Sequence, residues 1–331
     1  MQPLISILIP VYNVELYIEK CLRSLFANTI IDKCEIIIID DCSPDLSMKI
    51  AERVLEDYEE LKDNVFIIHH KENSGVAAAR KTAIAKARGE YFIYIDSDDW
   101  VEPNYLEELY NKAESEDCDI VGCDLYSEFS NKTIIKEQPL ENNNLDCIRD
   151  MLSAKTNGWL WIKMIRRNLV IENKISWIDG INICEDVLFS VKCFYYAQKI
   201  GYVNKPLYHY NHNLGSYMHT LINDKSANQI VSAISEIEQF LLTKNEANLL
   251  DEMKLQKLHL KSRILFKGNK DVRIKYLSLW PEANTRLCDF ETSKIRKIIL
   301  HYSINAPKIA AFFLFVLYAV KRISGRNLFI K

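Results

Sequence analysis

The sequence predicts an α/β protein with a doubly wound, mostly parallel sheet, followed by a mainly helical C-terminal region. Three observations support this fold class. Short apolar runs alternate with helical patterns over the first hundred residues, and this order is typical of parallel sheets. Polar side chains follow the ends of these runs, where such sheets bind ligands. Beyond residue 220 the apolar spacing becomes mainly helical.

The individual elements follow from the apolar pattern. Strands are predicted at residues 5–9, 35–39, 65–69, 91–95 and 119–129. Helices are predicted at residues 15–26, 45–61, 74–88, 102–113, 228–242 and 248–266. The first four strands are continuously apolar rather than alternating, as expected when helices cover both faces of a sheet. The polar segment 130–144 is predicted to be turn-rich, and we expect a domain boundary near residue 220.

Composition places the chain among globular proteins. Its 331 residues include 42 Lys and Arg against 45 Asp and Glu, which gives a formal charge of −3. A charge this small gives no reason to expect nucleic acid as a partner. The charge is unevenly distributed, however, because residues 292–331 carry eight basic residues and no acidic one. The tail is therefore +8 and the remaining chain −3 − 8 = −11.

The apolar run 309–320 lies between Lys308 and the pair Lys321-Arg322. It is too short for a spanning helix, which needs about 20 residues. An interfacial contact of the tail with anionic lipid is one interpretation. A C-terminal helix packed on the body is the other, and both can hold together.

The cysteines and the N-terminus indicate the compartment. The nine cysteines are odd in number and show no CxxC spacing, so we expect free thiols in a reducing cytosol. The first ten residues have no basic region or small-residue cleavage site. They are predicted to form a buried strand rather than a signal peptide.

Two groups of candidate binding residues follow the first two strands. Tyr12, in the segment Pro10-Val11-Tyr12-Asn13, offers a flat face for stacking on a base. The alternative is an ordinary turn with Asn13 as a helix cap. Asp40 and Asp41 could accept hydrogen bonds from a base or a ribose, whereas Ser43 or Asp45 could equally cap the next helix.

A third group, Asp96-Ser97-Asp98-Asp99, follows the fourth strand. Three carboxylates so close together repel one another unless a cation is present. A hard divalent ion with substrate phosphates in its shell is the natural solution, and a solvated acidic turn is the alternative. Neither a GxGxxG nor a Walker lysine motif occurs, which counts against dinucleotide redox enzymes and P-loop ATPases.

Two further candidates lie in the second half of the chain. Glu185 and Asp186 precede an apolar helical run, so one of them could act as a general base or simply favour the start of a helix. Histidines cluster at His209, His212 and His219. Such residues are usually structural, but one of them could ligate a metal ion.

Four segments in register carry a resemblance to a known family: SILIPVYN (6–13), IIIDDCS (37–43), ENSGVAAAR (72–80) and GEYFIYIDSDD (89–99). In this order they resemble the bacterial family 2 glycosyltransferases, which have the Rossmann-like GT-A fold and a DXD motif. A weaker match continues through WIKMIR (161–166) and Glu185-Asp186 to Gly215-Ser216. The resemblance covers residues 4–220, which we expect to form the catalytic domain, with a nucleotide-sugar half at 1–100 and an acceptor half at 101–220.

The resemblance implies inverting transfer of a sugar from a nucleotide-diphosphate sugar, such as a UDP-sugar, to an acceptor hydroxyl. Asp186 is then the catalytic base and Glu185 orients the acceptor or the base. Asp96, Asp98 and Asp99 meet the ribose and a Mn²⁺ or Mg²⁺ ion. The remaining donor-binding candidates come from the first three segments: Pro10, Tyr12, Asn13, one of Asp40 or Asp41, and Arg80.

The chain departs from the family pattern where relatives often carry arginines near Tyr210, since it has Asn211 and Asn213 there. His212, His219 and Lys163 are the candidates to supply that positive charge. Relatives also often carry Asn where this chain has Lys81.

We expect an enzyme of bacterial surface polysaccharide synthesis, at the inner face of the cytoplasmic membrane, acting on a glycan or lipid-linked glycan. The alternatives are a metal-dependent nucleotidyltransferase and an inactive nucleotide- or glycan-binding module.

Overall fold

A computed structural model describes residues 2–212 and 221–324. The chain divides into two compact units. The first comprises Met1–Ile148 and Thr156–Leu214, and the second comprises Arg149–Lys155 and Gly215–Lys331. The domain boundary expected near residue 220 stays a prediction.

The first unit is built on a sheet. Its strands, among the residues described, are β1 (Ile5–Val11), β2 (Cys34–Asp40), β3 (Val65–His69), β4 (Tyr91–Tyr94), β5 (Trp100–Val101), β6 (Ile120–Phe129), β7 (Lys132–Lys136), β8 (Lys163–Arg166) and β9 (Ile200–Asn211). Their spatial order is β3-β2-β1-β4-β8-β6-β9-β5, with β7 paired to β6. Strands β1, β2, β3, β4, β6 and β9 run in one direction.

Helices connect and follow these strands. Along the described chain they are α1 (Ile18–Phe26), α2 (Ser47–Glu56), α3 (Val76–Lys86), α4 (Tyr105–Glu116), α5 (Asn144–Leu152), α6 (Arg167–Glu172), α7 (Glu185–Tyr196), α8 (Asp224–Thr243), α9 (Ala247–Lys267), α10 (Lys270–Lys275), α11 (Lys294–Asn305) and α12 (Pro307–Ser324). The predicted fold class is confirmed: β1 to β4 alternate with helices and pair in parallel, and a helical C-terminal region follows.

The structure differs from the sequence-based prediction in two places. The helix predicted over residues 45–61 ends at Glu56, and a 3-10 helix over Glu59–Asn64 follows it. The segment 130–144, which is predicted to be turn-rich, contains β7, which pairs antiparallel with β6. The sequence pattern missed β7 because most of its side chains are exposed, so it shows no buried apolar face.

The second unit has a separate apolar core, formed by side chains of α9 and α11 with Ala310 and Leu314 of α12. Helix α8 begins at a conventional cap, since the Asn223 side chain accepts a hydrogen bond from the Ser226 amide. Within the described residues, no helix is both long enough and apolar enough to cross a membrane.

A buried carboxylate fixes the amino ends of β1 and β2. Glu35 Oε1 accepts from Ser6 Oγ at 2.6 Å, from the Arg88 amide at 2.5 Å and from the Gly89 amide at 3.2 Å. Although burial acts to raise the pKa of Glu35, its hydrogen bonds from Ser6 and Arg88 lower it overall. Gly89 is required here because a Cβ at that position would lie 2.6 Å from the Ser6 nitrogen. The turn before β4 is thereby tied to β1 and β2.

We predict that Glu35→Ala lowers the free energy of unfolding by about 3 kcal/mol, because it leaves several buried donors without an acceptor. Urea denaturation followed by circular dichroism measures this loss. Glu59→Ala is the matched control, since Glu59 is exposed and pairs only with the nearby Lys62; its midpoint should stay at the wild-type value. A wild-type midpoint for Glu35→Ala would show that the carboxylate network does not stabilise the sheet.

Candidate active site

The carboxyl ends of β1, β2 and β3 lie in one row. Val11 pairs with Asp40, and Asp40 pairs with His69. Pro10 is the partly buried residue before the last residue of β1. Tyr12 follows this strand, and 48% of its surface is exposed. The fold therefore brings the sequence-predicted groups at Tyr12 and Asp40 to the same edge of the sheet.

Backbone contacts hold the first two loops together. The Asn13 amide donates to Ser43 Oγ at 2.8 Å, and the Glu15 amide donates to Asp45 Oδ2 at 2.8 Å. Asp45 also accepts from the amide of Ser47, the first residue of α2, although the N-cap position itself is Leu46, which makes no side-chain cap. Partial burial acts to raise the pKa of Asp45, but hydrogen bonds from Ser47 and the Glu15 amide lower it. Asn13 has a φ of +55° and does not cap a helix, since α1 begins at Ile18.

The two adjacent aspartates at the end of β2 differ in environment. Asp41 is buried, and its carboxylate accepts from the Ser74 amide at 3.0 Å and the Gly75 amide at 2.8 Å, while His70 Nδ1 lies 2.7 Å from it. Asp40 contacts the Ser43 amide and His69, whose side chain is 56% exposed. Asp41 therefore holds the loop before α3, and Asp40 is the member of the pair nearer to solvent.

Arg80 of α3 is the buried centre of the site. Its guanidinium contacts Asp96 Oδ1 at 3.1 Å and Glu185 Oε1 at 2.9 Å. It also lies 5.5 Å from the ring centre of Tyr94 and 5.4 Å from that of Trp177. Burial acts to lower the pKa of Arg80, but the charges of Asp96 and Glu185 raise it overall. Arg80 was predicted to bind the donor, and the structure shows it bridging two carboxylates.

The acidic segment after β4 is held by β9. Tyr208 Oη donates to Asp99 Oδ2 at 2.9 Å and accepts from the Asp96 amide at 3.2 Å. The Asn211 amide donates to Asp99 Oδ1 at 2.7 Å, and the Asn211 side chain donates to the Asp98 carbonyl at 3.1 Å. Burial, then repulsion from Asp98 and Asp96, raises the pKa of Asp99 well above its usual range. The segment is thus an ordered turn with a buried carboxyl group, not a solvated one.

Glu185 and Asp186 occupy the first turn of α7. Burial, then repulsion from Asp186, raises the pKa of Glu185, whereas Arg80 acts to lower it. The Val187 amide donates to Asp186 Oδ1 at 2.8 Å. Asp186 therefore lies where an acidic side chain favours the start of a helix. Its second carboxylate oxygen takes no part in the bond to the Val187 amide.

Asn182 joins the segment before α7 to α3. Its Oδ1 accepts from the Ala77 amide at 3.0 Å. A Cβ at Gly75 would lie 2.5 Å from the same oxygen, and Gly75 has a φ of +89°. Only glycine fits both the conformation and the space. This contact keeps α3, which carries Arg80, in register with the turn that carries Glu185.

Lys163 is buried rather than available to a ligand. Its ammonium donates to the carbonyls of Asn157 at 3.0 Å and Trp159 at 2.6 Å. Burial lowers the pKa of Lys163 to about 8, although the charge of Asp186 acts to raise it. Lys163 therefore holds the loop 157–159 near the start of α7, a different position from the one expected of a phosphate-binding lysine.

His212, the fourth metal-ligand candidate beside Asp96, Asp98 and Asp99, is held by β6. Its ring stacks on Phe129 with centroids 4.0 Å apart, and Nε2 lies 2.7 Å from Ser127 Oγ. His209 lies between Glu102 and Glu128, 2.8 Å from each. That His212 binds a metal ion together with Asp96, Asp98 and Asp99 stays a prediction. His219, Asn213 and Gly215-Ser216 lie outside the described residues.

The three aspartates still fit a divalent ion. Among residues 2–212 and 221–324, no group of three or more His, Cys, Asp or Glu is arranged to hold a metal by itself. The donors at Asp96, Asp98 and Asp99 are all oxygens, and burial, followed by repulsion from Asp98 and Asp96, raises the pKa of Asp99. Mg²⁺ characteristically binds to one or two carboxylates and takes its other ligands from phosphates and water. The residues thus suit an ion that arrives with a diphosphate.

The fold is an open, mostly parallel α/β sheet, a class that binds its ligands beyond the carboxyl ends of the strands, where the carboxylates of this chain lie. The model of the family "Glycosyl transferase family 2" matches residues 6–173. The chain therefore belongs to glycosyl transferase family 2.

Named relatives agree with this assignment. EpsH of Bacillus subtilis (strain 168) is 38% identical over 225 residues, which are 65% of this chain and 62% of EpsH. The poly(ribitol-phosphate) beta-glucosyltransferase of Bacillus spizizenii is 34% identical over 200 residues, 60% of this chain and 30% of that enzyme. The match thus spans less than two thirds of either relative.

Solved structures support the fold. S. aureus TarS 1–349 in complex with UDP-GlcNAc has a TM-score of 0.68 at 18% identity, covering 99% of this chain and 93% of TarS. The mannosyltransferase PcManGT from Pyrobaculum calidifontis, in complex with GDP-Man and Mn²⁺, has a TM-score of 0.53 at 14% identity, with coverage of 99% and 89%. At these identities the likeness concerns the fold.

Two residues that hold the site together, Asn182 and Tyr208, are not among the candidates from the sequence. Asn182 gave no signal in the sequence, because its contact with Ala77 joins segments about a hundred residues apart. Tyr208 belonged to a recognisable aromatic cluster, but its contact with Asp99 depends on the pairing of β5 with β9.

We predict that the pH dependence of stability identifies Lys163 as a buried amine. Its pKa is lower in the folded chain than in the unfolded one, so the unfolded state binds more protons between about pH 8 and pH 10.5. The wild-type free energy of unfolding should therefore rise relative to Lys163→Met over this range. Denaturation at several pH values measures the difference.

Lys62→Met is the control, since Lys62 is exposed. The wild-type free energy of unfolding should not rise relative to Lys62→Met over this pH range. A constant difference between wild type and Lys163→Met from pH 8 to pH 10 would contradict the prediction.

Proposed function

We propose that this protein is an inverting, metal-dependent glycosyltransferase that uses a nucleotide-diphosphate sugar, with UDP-sugars as the first candidates. One observation carries the proposal: the buried guanidinium of Arg80 contacts both Asp96 and Glu185. Through this one side chain, the acidic segment after β4 and the first turn of α7 occupy neighbouring positions. A leaving-group site and a candidate base must be adjacent in a displacement reaction.

The donor nucleotide would bind at the edge formed by β1 and β2. The exposed ring of Tyr12 offers a stacking face, and Pro10 and Asn13 flank it. Asp40, rather than the buried Asp41, would accept a hydrogen bond from the base. The complexes of TarS with UDP-GlcNAc and of PcManGT with GDP-Man support a nucleotide-sugar donor on this fold.

Asp96 and Asp98 would hold a Mn²⁺ or Mg²⁺ ion, with Asp99 fixing the turn. The ion would neutralise the charge that develops on the departing nucleoside diphosphate. Within the chain itself, Tyr208 and Asn211 keep the acidic segment in place through Asp99. Arg80 positions Asp96 rather than contacting the base of the nucleotide.

Asp186 would act as the catalytic base. One of its oxygens accepts from the Val187 amide, and the other would accept the proton of the acceptor hydroxyl. As the acceptor hydroxyl oxygen bonds to the anomeric carbon, the bond to the diphosphate breaks on the opposite face and the configuration inverts. Glu185, held by Arg80, orients this turn of α7.

The acceptor belongs to a bacterial surface glycan in this proposal, as a growing chain or a lipid-linked one. The poly(ribitol-phosphate) beta-glucosyltransferase supports a polymeric acceptor, because the name of this relative gives poly(ribitol-phosphate) as its acceptor.

We predict that Asp186→Asn lowers the turnover number for sugar transfer by about 100- to 10,000-fold, the usual contribution of a general base. Binding of UDP, measured as thermal stabilisation, should stay unchanged. Asp98→Ala should instead remove the part of this stabilisation that depends on Mn²⁺. A radiolabelled UDP-sugar panel with a crude lipid-linked acceptor measures transfer.

Asp179→Asn is the control, because Asp179 lies shortly before α7 but is exposed and pairs with the exposed Lys81. It should retain wild-type transfer. Full transfer by Asp186→Asn would place the base elsewhere, and unchanged Mn²⁺ dependence in Asp98→Ala would contradict the metal site.

We also propose that the C-terminal helices attach the enzyme peripherally to the cytoplasmic face of the membrane. Exposed apolar side chains line α12: Ile309, Phe312, Phe313, Phe315 and Val316. Residues 292–331 carry +8, which complements anionic lipid headgroups. The buried Ala310 and Leu314 pack in the core of the second unit, so both expectations for this helix are compatible.

We predict that replacing Phe312 and Phe315 together by Ser reduces flotation with phosphatidylglycerol vesicles, because these side chains are 62% and 69% exposed and would enter the interface. Leu16→Ser, at an 80% exposed position of the first unit, should float like wild type. Wild-type flotation of the double variant would rule out this contact.

A further inference from the structure

A row of stacked rings lies within the first unit, and one of its members, Tyr208, also holds Asp99 of the proposed donor site. The Trp161 ring is nearly parallel to Tyr208 at 4.4 Å, to Trp159 at 5.0 Å and to Tyr210 at 5.4 Å. Trp161 and Tyr208 are buried, whereas Trp159 and Tyr210 are partly exposed. We call these four residues the aromatic row.

One end of the aromatic row lies beside the acidic segment. Tyr208 donates directly to Asp99 at 2.9 Å. Asn211, which follows Tyr210, donates to Asp99 at 2.7 Å and to the Asp98 carbonyl at 3.1 Å. The partly exposed rings are therefore close in space to the candidate metal ligands.

The other end lies beside α7. Ser190 Oγ donates to the Gly158 carbonyl at 2.9 Å, and a Cβ at Gly158 would lie 2.8 Å from the Val187 Cα. Trp159 directly follows this close contact, and Lys163 holds its carbonyl at 2.6 Å. Trp159 is thus fixed near the helix start that carries Asp186.

Lys136, at the end of β7, completes this surface. Its ammonium lies 5.8 Å from the ring centre of Trp159. It makes no hydrogen bond or ion pair with any residue that the structure describes, although it is only partly exposed. Burial lowers its pKa. A partly buried ammonium without an anionic partner is unfavourable. The binding of an anion beside Lys136 would therefore be favourable.

We propose that Trp159 and Lys136 form an acceptor subsite for a pyranose that carries an anionic group, either a carboxylate or a phosphate. The apolar face of the sugar packs on the indole, and the anionic group contacts the ammonium. This inference rests on the proposed glycosyltransferase function and names its acceptor class. A neutral sugar would use the ring alone and leave Lys136 without a counter-charge.

The test is a saturation-transfer NMR titration of the full chain with three probes: methyl β-glucuronide, glucose 6-phosphate and methyl β-glucoside. We expect at least one anionic probe to bind about tenfold more tightly than the neutral glucoside, the advantage of a charge-assisted hydrogen bond. The glucuronide and phosphate arms distinguish the two sources of negative charge. Equal affinity for all three probes, or no binding of either anionic probe, overturns the proposal.

Variants assign the effect to residues. Lys136→Ala should remove the preference for the anionic probe, whereas Lys132→Ala should keep it. Lys132 is the matched control because it lies on the same strand, also over an aromatic ring, 5.3 Å from the centre of Phe129. Retention of the anionic preference by Lys136→Ala overturns the proposal.

Trp159→Ala should weaken the binding of all three probes about tenfold, and Trp159→Phe should retain most of it if the ring is what matters. Unchanged affinity in Trp159→Ala, or equal losses in Trp159→Phe and Trp159→Ala, overturns the role of the ring. Thermal stabilisation by UDP alone is measured in parallel. Its absence in wild type, with probe binding intact, contradicts the proposed function and not the subsite.

Discussion

The site depends on one buried cation. Arg80 is enclosed by Tyr94 and Trp177 and shared between Asp96 and Glu185. Removing one partner of such a buried pair leaves an uncompensated charge, which costs several kcal/mol. The two carboxylates come from segments that are far apart in the sequence, so the guanidinium acts as the common point to which both halves of the site are fixed. The aromatic rings restrict where it can lie.

Much of the first half was accessible from the sequence because its signals are local. The apolar runs of β1 to β4 and the polar residues after them are each contained within about ten residues, and parallel topology then brings the strand ends together. The family resemblance covered the same region. Strand β7 gives no such local signal, because a strand with mostly exposed side chains has no buried apolar face.

The remaining features depend on tertiary contacts. Asp40 and Asp41 are identical residues in the sequence, and only the position of the loop before α3 gives the Asp41 carboxylate two amide donors and leaves Asp40 slightly nearer to solvent. Likewise, the histidine at 212 looked like a ligand beside acids, but β6 supplies it with Phe129 and Ser127. The assignment of roles within a cluster therefore required the pairing of strands that sequence spacing does not reveal.

The contacts at the start of α3 have a consequence for how this fold can handle phosphate. In many nucleotide-binding α/β proteins, a helix amino terminus is open and its amide groups receive the phosphates. Here the Asp41 carboxylate takes the Ser74 and Gly75 amides, and the Asn182 side chain takes the Ala77 amide. The helix dipole is already satisfied by the protein's own anion. In the proposed reaction, the charge of the donor phosphates would then be balanced by a dissociable cation rather than by the backbone amides at the start of α3.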